Sequence, residues 1–330
     1  MFLFTLASAF AGEHSIVNGD ATDAFPQVVA LYAADESGNG FNFCSGTVIG
    51  PKTVVTAAHC LAGMDEVVEA GYPRLLIVSG NNVNTQSGVS EEIDASFWVA
   101  HPEYNNSTLE HDIGVIGLEA EFSFDVMPVN KDVLKDTDIG KDYRYVGWGV
   151  TSDAGMDSGV KRYADIPLYD FDDMFQFGYD EEDVQNVCYG DSGGAALEVQ
   201  AEGGFELSGV NSFVSDDDDT YCHGGYNGAT RIDAHLSWLE QYTELWNAEE
   251  LAIHIEQEEA EQEEEEQQQE EEEEEEEELE HDGTALPDEL PAFHPEESLP
   301  EPAAGCATAP SASGAFGLSA GMLLLRRRRR

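Results

Sequence analysis

Residues 190–194 read Gly190-Asp191-Ser192-Gly193-Gly194, and no other stretch restricts this chain as much. A serine between glycines at this spacing sits on a tight turn, because glycine tolerates the bend and lets a substrate come close. The same turn leaves backbone N–H groups free to meet a developing oxyanion. A serine of this kind needs a base and an acid that orients the base. Two upstream segments offer them: Thr56-Ala57-Ala58-His59-Cys60 supplies an imidazole, and His111-Asp112-Ile113-Gly114-Val115 supplies a carboxylate.

The order of these residues separates two kinds of serine chemistry. The pentapeptide also fits G-x-S-x-G, the nucleophile elbow of α/β-hydrolases, whose order is serine, acid, histidine. That reading would draw its acid from Asp216 to Asp219 or from Asp233, and its base from His223 or His235. Composition leaves it open, but periodicity opposes it. A hydrolase alternates strands with helices of about 10–15 residues. Here short apolar runs at 28–33, 43–49, 53–57, 75–79, 93–100, 113–118, 143–150, 163–169, 195–199, 205–213 and 228–232 follow one another across turn residues. Such spacing predicts a closed all-β fold. Ile232, Leu236, Leu239 and Trp246 recur at helical spacing, which predicts a C-terminal helix docked on the last strands.

From Ile16 to about Trp246 the chain resembles the chymotrypsin/trypsin family of serine endopeptidases. The resemblance rests on Ile16-Val17-Asn18-Gly19, Cys44-Ser45-Gly46-Thr47, the His59 and Asp112 segments, Gly147-Trp148-Gly149 and the Ser192 pentapeptide, six motifs in the family's order. It implies two six-stranded antiparallel β-barrels meeting near residues 125–140, with the site in the cleft between them. His59 and Asp112 would come from the first barrel and Ser192 from the second. By the family's mechanism, His59 is the base, Asp112 orients it, and Ser192 attacks the peptide carbonyl. The N–H groups of Gly190 and Ser192 would bind the oxyanion. Substrates are then proteins or peptides, and no metal or cofactor is required. Some proteins of this fold are inactive binding modules, but here the triad is complete. His101, His111, His223 and His235 have no comparable framing and read as ordinary residues.

The resemblance also carries an activation device and a specificity pocket. Ile16, freed by cleavage, would turn its ammonium inward to Asp191. Residues 12–15 then read as a short propeptide, cut after Ser15 by a separate activating protease. Asn186 would lie at the base of the primary pocket, with Ser212, Phe213, Val214 and Asn227 in its wall. Asn186 carries no charge, and Val214 stands where a glycine often keeps the pocket open. Small or medium uncharged side chains are therefore the expected substrates.

Five cysteines are present: Cys44, Cys60, Cys188, Cys222 and Cys306. In an oxidising compartment the first four can pair in three ways. The resemblance selects Cys44–Cys60, which ties the loop carrying His59, and Cys188–Cys222, beside the nucleophile. Residues 1–11 are apolar and end Ala9-Phe10-Ala11, which reads as an export signal.

Beyond the protease domain, residues 16–248, the composition changes. Residues 249–304 hold Glu and Gln runs, above all Glu270 to Glu278, and then five prolines. Such a segment cannot build a core and is expected to be a disordered spacer. Like charges at i,i+4 oppose the alternative, a single charged helix. Residues 305–330 pass from Cys306 through an apolar stretch to five arginines. Five arginines alone would fit nucleic acid. Directly after an apolar run they fit a cytoplasmic anchor, so no nucleic-acid partner is expected. The segment resembles the C-terminal sorting tails of myxobacterial surface proteins, which implies sorting machinery at the membrane and lipid attachment at Cys306. The expected location is secreted and attached to the cell surface.

The net charge is −54, and the tail accounts for only part of it. Residues 249–301 hold 26 of the 68 Asp and Glu, and the other 42 meet nine Lys and Arg before residue 247. A domain near −33 repels itself, and salt screens that repulsion over about 8 Å or less. Adaptation to salty water follows as a hypothesis. The melting temperature is expected to rise with salt; a flat response in differential scanning calorimetry would contradict it.

Overall fold

The computed structural model describes residues 16–244 apart from 182–184, 202, 216–221 and 224. The expected export segment, propeptide, acidic spacer and sorting tail, with Cys306 and Trp246, lie outside the described residues, as do Asp216 to Asp219. No helix among the described residues is long and apolar enough to cross a membrane.

Thirteen strands and three short α-helices make up the described chain: β1 Asp20–Ala21, β2 Val28–Ala34, β3 Gly40–Gly50, β4 Thr53–Thr56, α1 Ala58–Ala62, α2 Met64–Glu69, β5 Arg74–Gly80, β6 Val89–Ala100, β7 Gly114–Leu118, β8 Asp142–Gly147, β9 Arg162–Phe171, β10 Phe175–Gly178, β11 Ala195–Val199, β12 Phe205–Ser215, β13 Tyr226–Arg231 and α3 Leu236–Leu239. Strands β2-β3-β4-β7-β6-β5 close into one antiparallel barrel. A second barrel runs β9-β10-β13-β12-β11-β8 and closes through β8–β9, with β1 added on the outer edge of β9. This all-β arrangement of two six-stranded barrels is the expected one, and it rules out the alternating strands and helices of a hydrolase.

The sequence dictates these strands in two ways. In β2 and β4 nearly every residue is buried, so the strands read as continuous apolar runs. Strand β9 instead alternates: Ala164, Ile166 and Leu168 point inward while Tyr163, Asp165 and Pro167 are half-exposed. Val54, Val55, Ile77, Val115 and Ile116 are buried in one apolar cluster, and Tyr143, Tyr145, Ile166 and Ala196 in another.

Trp148, just after β8, joins the two barrels. Its ring is fully buried and its Nε1–H donates to Val28 O of β2 at 3.2 Å. The expected C-terminal helix is present and short. Leu236 and Leu239 are buried as their spacing implies, but α3 is only four residues long. It reaches back to the first barrel rather than resting on the second alone: Trp238 packs against His101 at 4.8 Å, and Thr53 Oγ–H donates to Tyr242 O at 2.9 Å.

Candidate active site

His59 lies in α1, and three constraints fix it. Cys60 is joined to Cys44 of β3 by a disulfide, which ties the helix to the barrel wall. The His59 backbone N–H donates to Asp112 Oδ1 at 2.8 Å. The ring Nδ1 stands 2.7 Å from Asp112 Oδ2. Asp112 is fully buried, and Ser212 Oγ–H donates to the same Oδ2 at 2.5 Å. A buried carboxylate is an acceptor only, so it holds the His59 hydrogen on Nδ1 and leaves Nε2 with a free lone pair. That is the tautomer a general base needs.

The second barrel helps to place Asp112. Ser212 is on β12, and Thr230 of β13 donates its hydroxyl to the Asp112 carbonyl at 2.9 Å. Before Asp112 the chain makes a tight turn in which Leu109 and His111 hold positive φ, 60° and 54°. The turn brings Asp112 N–H to Leu109 O and delivers the chain into β7.

The loop around Ser192 is held from both barrels. Ser45 of β3 donates its N–H to Ser192 O at 2.8 Å and its hydroxyl to Gly190 O at 2.9 Å. The same hydroxyl accepts from Trp148 N–H at 3.1 Å. Two glycines are dictated by space. A Cβ on Gly193 would fall 2.1 Å from Thr56 Oγ1 and 2.2 Å from Ser45 O, and φ there is +80°. Gly190, at φ +94°, lies against the Gly149 backbone.

These ties orient two peptide groups. Tyr189 O accepts from Val150 N–H at 2.8 Å, which turns the Gly190 N–H the other way. Asp191 O accepts from Gly194 N–H at 2.9 Å and from Asn211 Nδ2 at 3.3 Å, which does the same for the Ser192 N–H. Among the described residues neither of those two N–H groups has an acceptor. The pair is therefore open to a ligand oxygen.

Asp191 itself points away, into the second barrel. Its carboxylate accepts from Gly149 N–H and Cys188 N–H, both at 2.8 Å. Full burial pushes its pKa up to about 7, against the pull of those two donors and of Arg162. Ile16 is fully buried, in the apolar cluster that also holds Val187, Leu134 and Tyr143, and Val17 pairs with Asn186.

His59 and Ser192 open onto one cavity of about 400 Å³. Ser212, Phe213 and Val214 line it, with Val187, Leu109 and Asn106 among the other walls. Asn186 and Asn227 are not part of that lining. Both are buried, and Asn227 Nδ2 donates to Asn186 Oδ1 at 3.1 Å while Asn186 Nδ2 donates to Gly225 O at 3.2 Å. Cys188 is joined to Cys222, which anchors this wall. Sequence reasoning missed Ser45, Thr230, Asn211, Asn106 and Leu109. Ser45 lies inside one of the six motifs, but its role depends on partners more than 100 positions away.

Comparison with known proteins agrees with this architecture. Residues 16–239 match the family model described as Trypsin. The chain is 26% identical over 234 residues to brachyurin of Leptuca pugilator, covering 67% of this chain and 94% of that protein. It is 26% identical over 219 residues to trypsin-1 of Astacus astacus, covering 62% and 89%. With the trypsin of Saccharopolyspora erythraea it shares 31% identity over 195 residues, 54% of this chain and 80% of that one. Two closed barrels, a serine and a histidine at one cavity, and a family match over residues 16–239 lead to one conclusion: the chain belongs to the trypsin family and is a serine endopeptidase.

Proposed function

We propose that this endopeptidase works through His59, Asp112 and Ser192 by way of an acyl-enzyme. Ser192 Oγ attacks the scissile carbonyl carbon while its proton passes to His59 Nε2. Asp112 stabilises the imidazolium through Nδ1–H. The Gly190 and Ser192 N–H groups receive the oxyanion, and the proton on His59 then leaves with the amine. Water deacylates the enzyme by the same route. The observation that carries this reading is the placement of Asp112, buried behind a histidine that shares its cavity with Ser192.

The substrate residue before the cleaved bond is uncharged and of small or medium size. Val214 and Val187 make that part of the wall apolar, and Asn186 and Asn227 are neutral and bonded to each other. Asp112→Asn should lower kcat about 10³–10⁴-fold, the scale known for triads of this kind, because the histidine tautomer is lost. Assays over a peptide library would read both points. A near-normal kcat for Asp112→Asn, or a preference for Arg or Lys, would overturn the corresponding part.

Activation follows from Asp191. In the uncut chain the Ile16 nitrogen is a neutral amide, and Asp191 keeps a raised pKa of about 7. The folded state then holds a proton that the unfolded state releases near pH 4, so this group lowers stability as pH rises from about 4 to 7. Cleavage after Ser15 supplies an ammonium at Ile16, which would keep Asp191 ionised and remove that loss. The stability of the cut form minus that of the uncut form should therefore grow between about pH 5 and 7.5. Urea denaturation of the two forms measures this; a difference independent of pH would contradict the pairing.

Export by residues 1–11 and surface attachment through residues 305–330 and Cys306 complete the reading. Cell fractionation reads this part, and a Cys306→Ala variant still held at the surface would count against it.

A further inference from the structure

Asn211 of β12 belongs to the wall of the cavity that holds His59 and Ser192, and the triad does not use its side-chain oxygen. The residue is buried. Its Nδ2 donates to Asp191 O at 3.3 Å and to Val146 O at 3.5 Å. Both are carbonyl oxygens, which only accept, so the amide sits with its nitrogen toward them. These atoms crowd Gly194: a Cβ there would fall 2.3 Å from Val146 O, 2.9 Å from Asp191 O and 3.1 Å from Asn211 Nδ2. The other arm of the amide, Oδ1, is thereby turned from Gly194. It is buried and has no hydrogen-bond partner among the described residues.

A buried acceptor without a donor is costly, and folded proteins keep few of them. The neighbouring polar side chains do not relieve this one. Ser212 gives its hydroxyl hydrogen to Asp112. Asn186 accepts on Oδ1 from Val187 N–H and Asn227 Nδ2, and its own Nδ2 donates to Gly225 O. The donor that Asn211 lacks therefore has to come with whatever fills the cavity. Among the described residues no Asp, Glu, Lys or Arg lines that space, and its apolar wall includes Leu109, Val187, Phe213 and Val214. A charged occupant would be buried without a counter-ion, and a purely apolar one would leave Oδ1 unpaired.

We propose that Asn211 selects the residue before the cleaved bond, its Oδ1 accepting a hydrogen bond from an uncharged donor on that side chain, a hydroxyl or a primary amide. Threonine, serine, asparagine and glutamine meet this demand; valine and leucine, of matching shape, do not. The proposal narrows the specificity reading above and rests on the cut being made at this cavity. Asn211 is a specificity residue, since Oδ1 takes no part in the proton transfers. A site built to hydrogen-bond its substrate rejects an analogue without the donor far more strongly than an apolar pocket rejects one missing methylene.

The test uses protein that begins at Ile16 and peptides that differ only before the scissile bond, in two shape-matched pairs: Thr against Val, and Asn against Leu. In at least one pair kcat/KM should be at least tenfold higher for the member with the donor, and the larger ratio tells a hydroxyl from an amide. Asn211→Leu keeps the shape and removes the acceptor, so that ratio should fall to about one. Loss of the Nδ2 bond to Asp191 O slows both members of a pair alike and cancels in the ratio. Asn211→Val repeats the test if Asn211→Leu fails to fold. Ratios of one or less in both pairs, a preference for Lys or Arg, or a ratio unchanged in a folded variant would each overturn the proposal.

Binding separates this proposal from the triad reading. Calorimetric titration of the same four peptides into protein carrying Ser192→Ala needs no chemistry, and the peptide with the favoured donor should bind at least threefold more tightly than its partner. Equal affinities within both pairs would overturn the role of Asn211. If none of the four peptides is cut by the parent, the triad reading fails and the binding ratios alone decide on Asn211.

Discussion

A carboxylate sealed from water has to be surrounded by donors, and in this protein that requirement draws the two barrels together. Asp112 takes the His59 N–H and Nδ1–H from the first barrel and the Ser212 hydroxyl from the second, while its carbonyl takes the Thr230 hydroxyl. An unpaired buried charge costs several kcal/mol, so separating the barrels here is expensive. Ser45 performs the complementary task, reaching from β3 into the loop that carries Ser192. The cleft is thus set by polar groups that each face across the seam, with the apolar cores of the barrels giving them rigid supports.

Much of this was legible because the site residues sit in short segments whose local chemistry is unusual. Gly193 is glycine because any side chain there would strike Thr56 and Ser45, and that necessity surfaces in the sequence as a glycine beside the reactive serine. The strand pattern was also readable wherever burial was continuous or alternating. Strand β10, Phe175–Gly178, escaped because the preceding acidic run reads as loop. In fact Asp172 accepts from the N–H groups of Met174 and Phe175, making the turn that joins β9 to β10. The helix after β13 was legible from Leu236 and Leu239, but its partners across the seam could not be inferred from periodicity.

What stayed hidden were contacts between residues far apart in the chain. Asn186 was legible as a neutral residue near the specificity pocket, but its pairing with Asn227, 41 positions away, was not. Neither side chain is part of the cavity lining, which includes Val187 and Val214. The histidines at 101, 111 and 235 looked unrelated in sequence and form one cluster only because β6, the turn before Asp112 and the end of β13 converge.

Every step of the mechanism depends on Ser192 being an activated nucleophile. Labelling of protein that begins at Ile16 with a fluorophosphonate, read by intact and peptide mass, asks this directly. A single adduct on Ser192, absent when His59 is replaced by alanine, is the result expected of a working triad. A folded protein with both disulfides formed and no adduct would contradict it, and would point to a protease fold used for binding.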